Sequence, residues 1–180
     1  MLEFLNENSE AIIAVGTIII SLAALIVSII TYRGQKKLTL QSAKPFLSLN
    51  LVDATDRISI ELENNGVGVA IIKNATFKSI NSDESSKSLI NLVESVDRNM
   101  DKPYFQNRTL WKRYEESLCN KAIAPQSKRY LLEFPLKDPS KLPLLREILS
   151  KIEVEIIYTS IYEKDSYTLS DNLKYYHKNM

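Results

Sequence analysis

Apolar residues run uninterrupted by charge from Ala11 to Tyr32 (AIIAVGTIIISLAALIVSIITY), 22 residues in which Gly16 is the only glycine. As a helix rising about 1.5 Å per residue this stretch would be about 33 Å long, and a hydrocarbon core of about 30 Å needs about 20 apolar residues. Core helices of soluble proteins are shorter and keep a polar side. A cleavable signal would need a basic start and an apolar run of about 7–15 residues. Glu3, Glu7 and Glu10 precede this one. The pattern predicts an uncleaved transmembrane helix at 11–32 behind a short tail at 1–10. Thr17, Ser21, Ala24, Ser28 and Thr31 fall on one side of it at spacings of 4, 3, 4 and 3. Small residues let two backbones approach closely in lipid, so this stripe is the candidate for self-association into a homo-oligomer. Chance placement of common residues explains it as well.

After Pro45 the period changes to two, the mark of half-buried strands. Leu47, Leu49 and Leu51 alternate in PFLSLNLV. Ile58, Ile60 and Leu62 alternate in DRISIELE, with Arg57, Ser59, Glu61 and Glu63 on the wet side. Asp53 to Asp56 breaks the run, so the two form a hairpin. Val69, Ile71, Ala75 and Phe77 share a side in the next strand. Tyr130, Leu132, Phe134 and Leu136 share one later, as do Ile152, Val154, Ile156 and Tyr158. Lys164-Asp165 turns into a last strand with Tyr167 and Leu169 inward. That makes six strands, with room for a seventh. Alternation of this kind favours antiparallel sheets, and no regular helices separate the strands. The predicted fold is an N-terminal transmembrane helix followed by a mainly-β, immunoglobulin-like antiparallel sandwich over 45–180.

The stretch 83–125 departs from period two and predicts a helical insertion. Leu89, Leu92, Val93 and Val96 have helical spacing, as do Leu110, Trp111, Tyr114, Leu118 and Cys119. These predict helices at 86–99 and 108–120. A short helix, PLLREILSK, precedes the strand at Ile152, and the tail DNLKYYHKNM is short helix or frayed end.

Charge refines the topology. The whole chain has 23 bases and 22 acids, a net +1. Residues 1–32 hold three acids and no base, and residues 33–44 hold Arg33, Lys36, Lys37 and Lys44 and no acid. Removing these leaves 19 of each sign in 45–180. Bases beside a span are retained in the cytoplasm, so the tail is expected outside and the domain inside. The four bases of the 33–44 juxtamembrane helix or linker form a collar for lipid headgroups, each contributing about 1 kcal/mol near anionic lipid. A neutral domain argues against nucleic-acid binding.

Candidate chemistry is sparse. One cysteine excludes an internal disulfide, and one histidine excludes the usual zinc clusters, so no metal or cofactor site is expected. Asn65-Gly66-Val67-Gly68 lacks the spacing and lysine of a phosphate loop and reads as a turn whose glycines supply positive φ. Cys119 reads as buried and inert, His177 lies too near the terminus for a positioned base, and Glu115-Glu116 read as solvated surface. Two glycosylation sequons, at Asn74 and Asn107, are chance matches in a cytoplasmic domain. No catalytic set emerges, and a non-enzymatic protein is expected. The densest aromatic cluster joins Tyr104, Phe105, Trp111 and Tyr114 with Arg108, Lys112 and Arg113. Tyr104, Arg108, Trp111 and Arg113 are the candidate partner surface, because Trp, Tyr and Arg dominate interface hot spots. The competing reading is that they pack the insertion onto the sheets.

Lys44-Pro45, Asn64-Asn65-Gly66 and Gly68-Val69-Ala70 open and link the first strands. In this the chain resembles a loose class of small bacterial single-pass membrane proteins with a cytoplasmic immunoglobulin-like domain. Val69 stands where that class often has proline. The resemblance implies the fold and topology and no agreed activity; some such proteins look like accessory or effector parts of phage-defence systems. The expected function is therefore a membrane-anchored interaction or sensing module binding a cytoplasmic protein. The alternative is an effector whose span oligomerises on a trigger and disrupts the bilayer.

Overall fold

The computed structural model describes residues 9–100, 103–135, 139–162 and 165–179. Most of the expected tail at 1–10, together with Leu136 and Lys164, lies outside them. The chain divides into two compact units, 1–42 and 43–180.

The first unit holds α1 (Ser9–Ser42), an unbroken helix of 34 residues, apolar on every side over most of its length. A glycine in a helix interior costs about 1 kcal/mol relative to alanine, yet Gly16 and Gly34 do not interrupt it. It stops three residues before Pro45, as the restricted backbone ahead of a proline requires. Among the described residues it is the one helix long and apolar enough to cross a membrane; its mean hydropathy reaches 2.8 and that stretch buries no side chain.

The second unit is built from antiparallel strands. They are β1 (Leu47–Asp53), β2 (Arg57–Asn64), β3 (Ala70–Ser79), β4 (Ser85–Ser86), β5 (Arg113–Tyr114), β6 (Ala122–Ile123), β7 (Ser127–Pro135), β8 (Ile152–Ser160) and β9 (Ser166–Asn172). One sheet has the order β1-β2-β7-β5, the other β4-β3-β8-β9, with β6 also paired to β3. Two amphipathic helices, α2 (Leu89–Arg98) and α3 (Leu142–Ser150), turn Leu89, Ile90, Leu92 and Val93, and Leu145, Ile148 and Leu149, into the core. A 3-10 helix, Lys174–Asn179, closes the described chain. Its Tyr176 is fully buried and donates from the phenol to the Ser59 carbonyl at 2.9 Å. Asp53 and Arg146 tie β1 to α3 by a two-bond ion pair at 2.9 and 3.0 Å.

The six long strands coincide with the six alternating stretches, but two bulges shift their inward sides. Register slips between Ile72 and Asn74 in β3, so Ala70 and Ile72 are buried before the slip and Ala75 and Phe77 after it. Val69 and Ile71, expected inward, are half-buried. A second slip between Ile60 and Glu61 buries Leu131 beside Leu132 and Phe134, and pairs Tyr130 with Glu61. Tyr167 and Leu169 are half-buried on edge strand β9.

The expected wet side of β2 is not wet, and the neighbouring strand β7 shares its burial. Ser59, Glu61 and Glu133 are buried, and cations lie over the carboxylates. Lys128 reaches Glu61 at 2.8 Å, Lys112 reaches Glu133 at 2.9 Å and Arg113 approaches Glu133 at 3.4 Å. A buried carboxylate needs such partners, because desolvation penalises its charge heavily.

The predicted helix at 108–120 is absent. A 3-10 turn (Arg108–Leu110) leads into β5, which pairs Arg113 with Glu133 and Tyr114 with Leu132. The open edge of β7 and the charge of Glu133 outcompete local helical spacing. The insertion at 83–125 is thus one helix plus short strands serving both sheets. Cys119 is half-buried and leads into Asn120, whose φ of 61° marks a turn.

Where the chain enters the second unit, Asn64 organises the backbone. Its Oδ1 accepts from Phe46 N and Gly66 N, both at 3.1 Å. Its Nδ2 donates to the carbonyls of Gly68, Ile123 and Ala124 at 2.7, 3.1 and 3.2 Å. The glycines beside it do not have positive φ. They are needed for room: a Cβ at Gly68 would overlap the Ala43 carbonyl oxygen, and one at Gly66 would stand 2.5 Å from Lys44 O.

Candidate functional site

The insertion builds an aromatic cleft at the end of the first sheet away from Asn64. Phe105 is fully buried in the aromatic cluster behind it. Its ring lies 5.2 Å from Tyr104, 5.7 Å from Trp111 and 5.5 Å from Phe134, and Trp111 lies 5.2 Å from Phe134. Edge-to-face pairs of this kind contribute about 0.5–1.5 kcal/mol beyond area burial. Against this cluster opens a cleft of about 330 Å³, lined by Tyr104, Leu110, Trp111, Lys112, Phe134 and Pro135, with Thr109 at its side. Small-molecule and side-chain pockets are mostly apolar with a few polar groups, and start near this size. A larger hollow of about 610 Å³ lies over the β3–β4 turn, but it is open and polar.

Two anchors hold the cleft's loop to α2. Asp97 is buried and accepts from Tyr104 N, Phe105 N at 2.8 Å and Gln106 Nε2 at 3.0 Å. Arg108 donates to Glu94 at 2.8 Å, Glu116 at 2.7 Å and Asn91 at 2.8 Å. Neither network was legible in the sequence, because Asn91, Glu94 and Asp97 look like the solvated side of an amphipathic helix.

The four candidate surface residues therefore divide. Tyr104 is half-buried on the cleft, with Lys141 Nζ 4.7 Å above its ring. Trp111 is 5% exposed and belongs to the core while lining the cleft. Its indole Nε1 is buried without a hydrogen-bond partner among the described residues, which costs about 1–3 kcal/mol. Arg108 is committed to its network. The Arg113 guanidinium carbon lies 4.5 Å over the Tyr130 ring, beside Glu133. Glu116 is exposed, as expected, but Glu115 is not. Burial raises the pKa of Glu115, and hydrogen bonds from Lys121 and Arg129 outweigh this and hold it below the usual carboxylate range.

On α1, Thr17, Ser21, Ala24, Ser28 and Thr31 are all exposed. The Thr17 and Ser28 hydroxyls donate to the Ile13 and Ala24 carbonyls of their own helix, each at 2.8 Å. Their contribution to a helix pair would then be small size, not hydrogen bonding. Arg33, Lys36 and Lys37 are exposed on α1. Lys44, in the second unit, extends toward the Tyr167 ring at 6.0 Å. The His177 side chain lies outside the described set. Among the described residues no group of three or more His, Cys, Asp or Glu could hold a metal ion.

Comparison with curated proteins and with solved structures found no match. A family model described as a domain of unknown function, DUF8453, matches residues 11–177. The match begins at the first residue of the apolar run and ends in the C-terminal 3-10 helix, so the long helix is part of the family pattern. Covering nearly the whole chain, it shows that the protein belongs to the DUF8453 family.

Proposed function

We propose that this protein is a membrane-anchored, non-enzymatic interaction or sensing module. In this reading α1 crosses a bacterial inner membrane once, N-terminus outside. The two sheets form an immunoglobulin-like sandwich in the cytoplasm, and the aromatic cleft receives a cytoplasmic protein partner. The observation that carries it is a helix too apolar to stay in water, continuous in sequence with a domain that presents an aromatic cleft. Placing the acid-free collar Arg33, Lys36 and Lys37 after the apolar run supports the orientation.

A photo-crosslinking residue at Leu110, which lines the cleft, tests the reading in intact cells. The expected result is a discrete adduct in the membrane fraction, with none from the same probe at exposed Ile80. Recovery of the chain in the soluble fraction, or equal adducts from both positions, overturns it. The small-residue stripe on an exposed helix supports a second reading, a span that oligomerises and breaches the bilayer. Loss of membrane potential on expression, requiring Ser21 and Ala24, would favour that effector over the module.

A further inference from the structure

The second unit carries a group of four exposed apolar side chains at one end of β3 and β8, whereas Ile80 stands at the other. Phe46, Val67, Ile161 and Tyr162 are 61%, 63%, 49% and 61% exposed. Backbone pairing places them together. Ala70 at the start of β3 pairs with Ser160 at the end of β8, so Val67 and the Ile161-Tyr162 pair extend beyond the same sheet edge. Asn65 N donates to Phe46 O at 2.8 Å and Gly68 N to Lys44 O at 3.3 Å, which brings Phe46 to the same loops. Ser160 Oγ contacts Ala43 O at 3.5 Å, and Tyr162 N donates to Ser160 Oγ at 3.2 Å. This is also the end at which the chain enters the domain, since Ala43 follows Ser42, the last residue of α1.

We propose that this ring of four side chains docks into the interface of the lipid bilayer that α1 crosses, giving the domain a second membrane contact. The inference rests on the reading of α1 as a span. Helix length supplies the argument. Thirty-four residues rise about 51 Å, against about 40–45 Å for a bilayer with its headgroups. Spans tilt by about 20° on average and up to about 40°. Upright, the helix delivers Ala43 within about 10 Å of the headgroups; at about 30° of tilt it delivers Ala43 among them. The first apolar side chain of the domain, Phe46, follows four residues after Ser42. Aromatic and aliphatic groups that are costly to leave in water partition favourably to this layer, where Tyr also keeps its hydroxyl wet. Lys44 and Asp165 are the described charged residues of these segments and offset one another. The contact is apolar in origin and does not depend on anionic lipid.

The test uses the full chain in phosphatidylcholine vesicles, with Cys119→Ser and a single fluorophore on an introduced cysteine. Lipids spin-labelled near the headgroup should remove most of the emission at Val67→Cys and Ile161→Cys. They should leave emission at Asp56→Cys, in the β1–β2 turn at the far end of β2, unchanged. Leu22→Cys, mid-span, should be quenched by lipids labelled deep in the chain. Quenching at Leu22 with none at Val67 or Ile161 overturns the docking and leaves the membrane reading intact. No quenching at Leu22 overturns the membrane reading itself. Disulfide pairing between two copies at Val67→Cys, without lipid quenching, assigns the ring to a second copy and also overturns the docking.

Discussion

Replacing Asn64 by alanine should be among the most damaging single changes in the domain. The side chain is fully buried and serves five backbone groups drawn from three segments, 46, 66–68 and 123–124. Two hydrogens on Nδ2 shared over three carbonyls amount to two bonds, and Oδ1 accepts two more. At about 0.5–1.5 kcal/mol each, four bonds total about 2–6 kcal/mol. Water can reach the half-buried Gly66 amide again, so about 3.5 kcal/mol is the working figure. Unfolding entropy of about 2.1 cal/mol/K per residue over residues 43–180 turns this into a fall in Tm of about 12 °C. Trp111 is the only tryptophan and is buried, so its fluorescence on heating the detergent-solubilised chain reports the domain and not the helix. Asn64→Asp keeps both bonds accepted at Oδ1 but aims a carboxylate oxygen at three carbonyls, and should cost at least as much. A fall below about 3 °C for Asn64→Ala, corresponding to about 1 kcal/mol, would refute the account.

Gly68→Ala should destabilise by about 3 kcal/mol or more, because its Cβ meets the Ala43 backbone. That change is read as the Tm of the Trp111 signal; Gly34→Ala has open space and should stabilise α1 by up to about 1 kcal/mol, read as the thermal loss of helical circular dichroism. Burial, reinforced by the charge of Asp53, holds the Tyr176 phenol well above its usual range, while an unfolded phenol ionises near pH 10. The stability this supplies is complete below about pH 10 and is lost above it, at up to about 1.4 kcal/mol per pH unit. Tyr176→Phe should cost about 1 kcal/mol at pH 7 in urea unfolding and flatten the alkaline slope; an unchanged slope would count against the assignment. Leucine at both Ser21 and Ala24 should abolish span crosslinking if the small-residue stripe pairs two helices, and leave it intact if the stripe is coincidental.

The long strands and the apolar helix were legible because each rests on a periodic signal sustained over many residues. What escaped were features decided by a single inserted residue or a distant partner. The slip at Ile72–Asn74 moves inward burial from Ile71 to Ile72, and no local pattern announces it. Leu110, Trp111, Tyr114 and Leu118 have helical spacing, yet the edge of β7 and the charge of Glu133 pull Lys112 and Arg113 into extended backbone. The turn at Gly66–Gly68 was visible, but its cause is crowding by residues 43–46, which lie far enough back in sequence to hide it. The aromatic cluster was visible too, and both its readings apply: Trp111 packs the core and also walls the cleft.

The burial of Tyr176 against Ser59 has a consequence for the order of events during synthesis. The two residues are 117 positions apart, as Leu47 and Tyr158 are 111 apart. Translation proceeds at about 5–20 residues per second, so Tyr176 is made about 7–30 s after the last residue of the apolar run. Within that interval the β1–β2 hairpin is made first and waits for β7, then for β8 and last for its closing tyrosine, while the apolar helix is already complete. On the reading of α1 as a span, nascent chains are therefore tethered before they are folded, and a chaperone would act on the domain only after its anchor is placed.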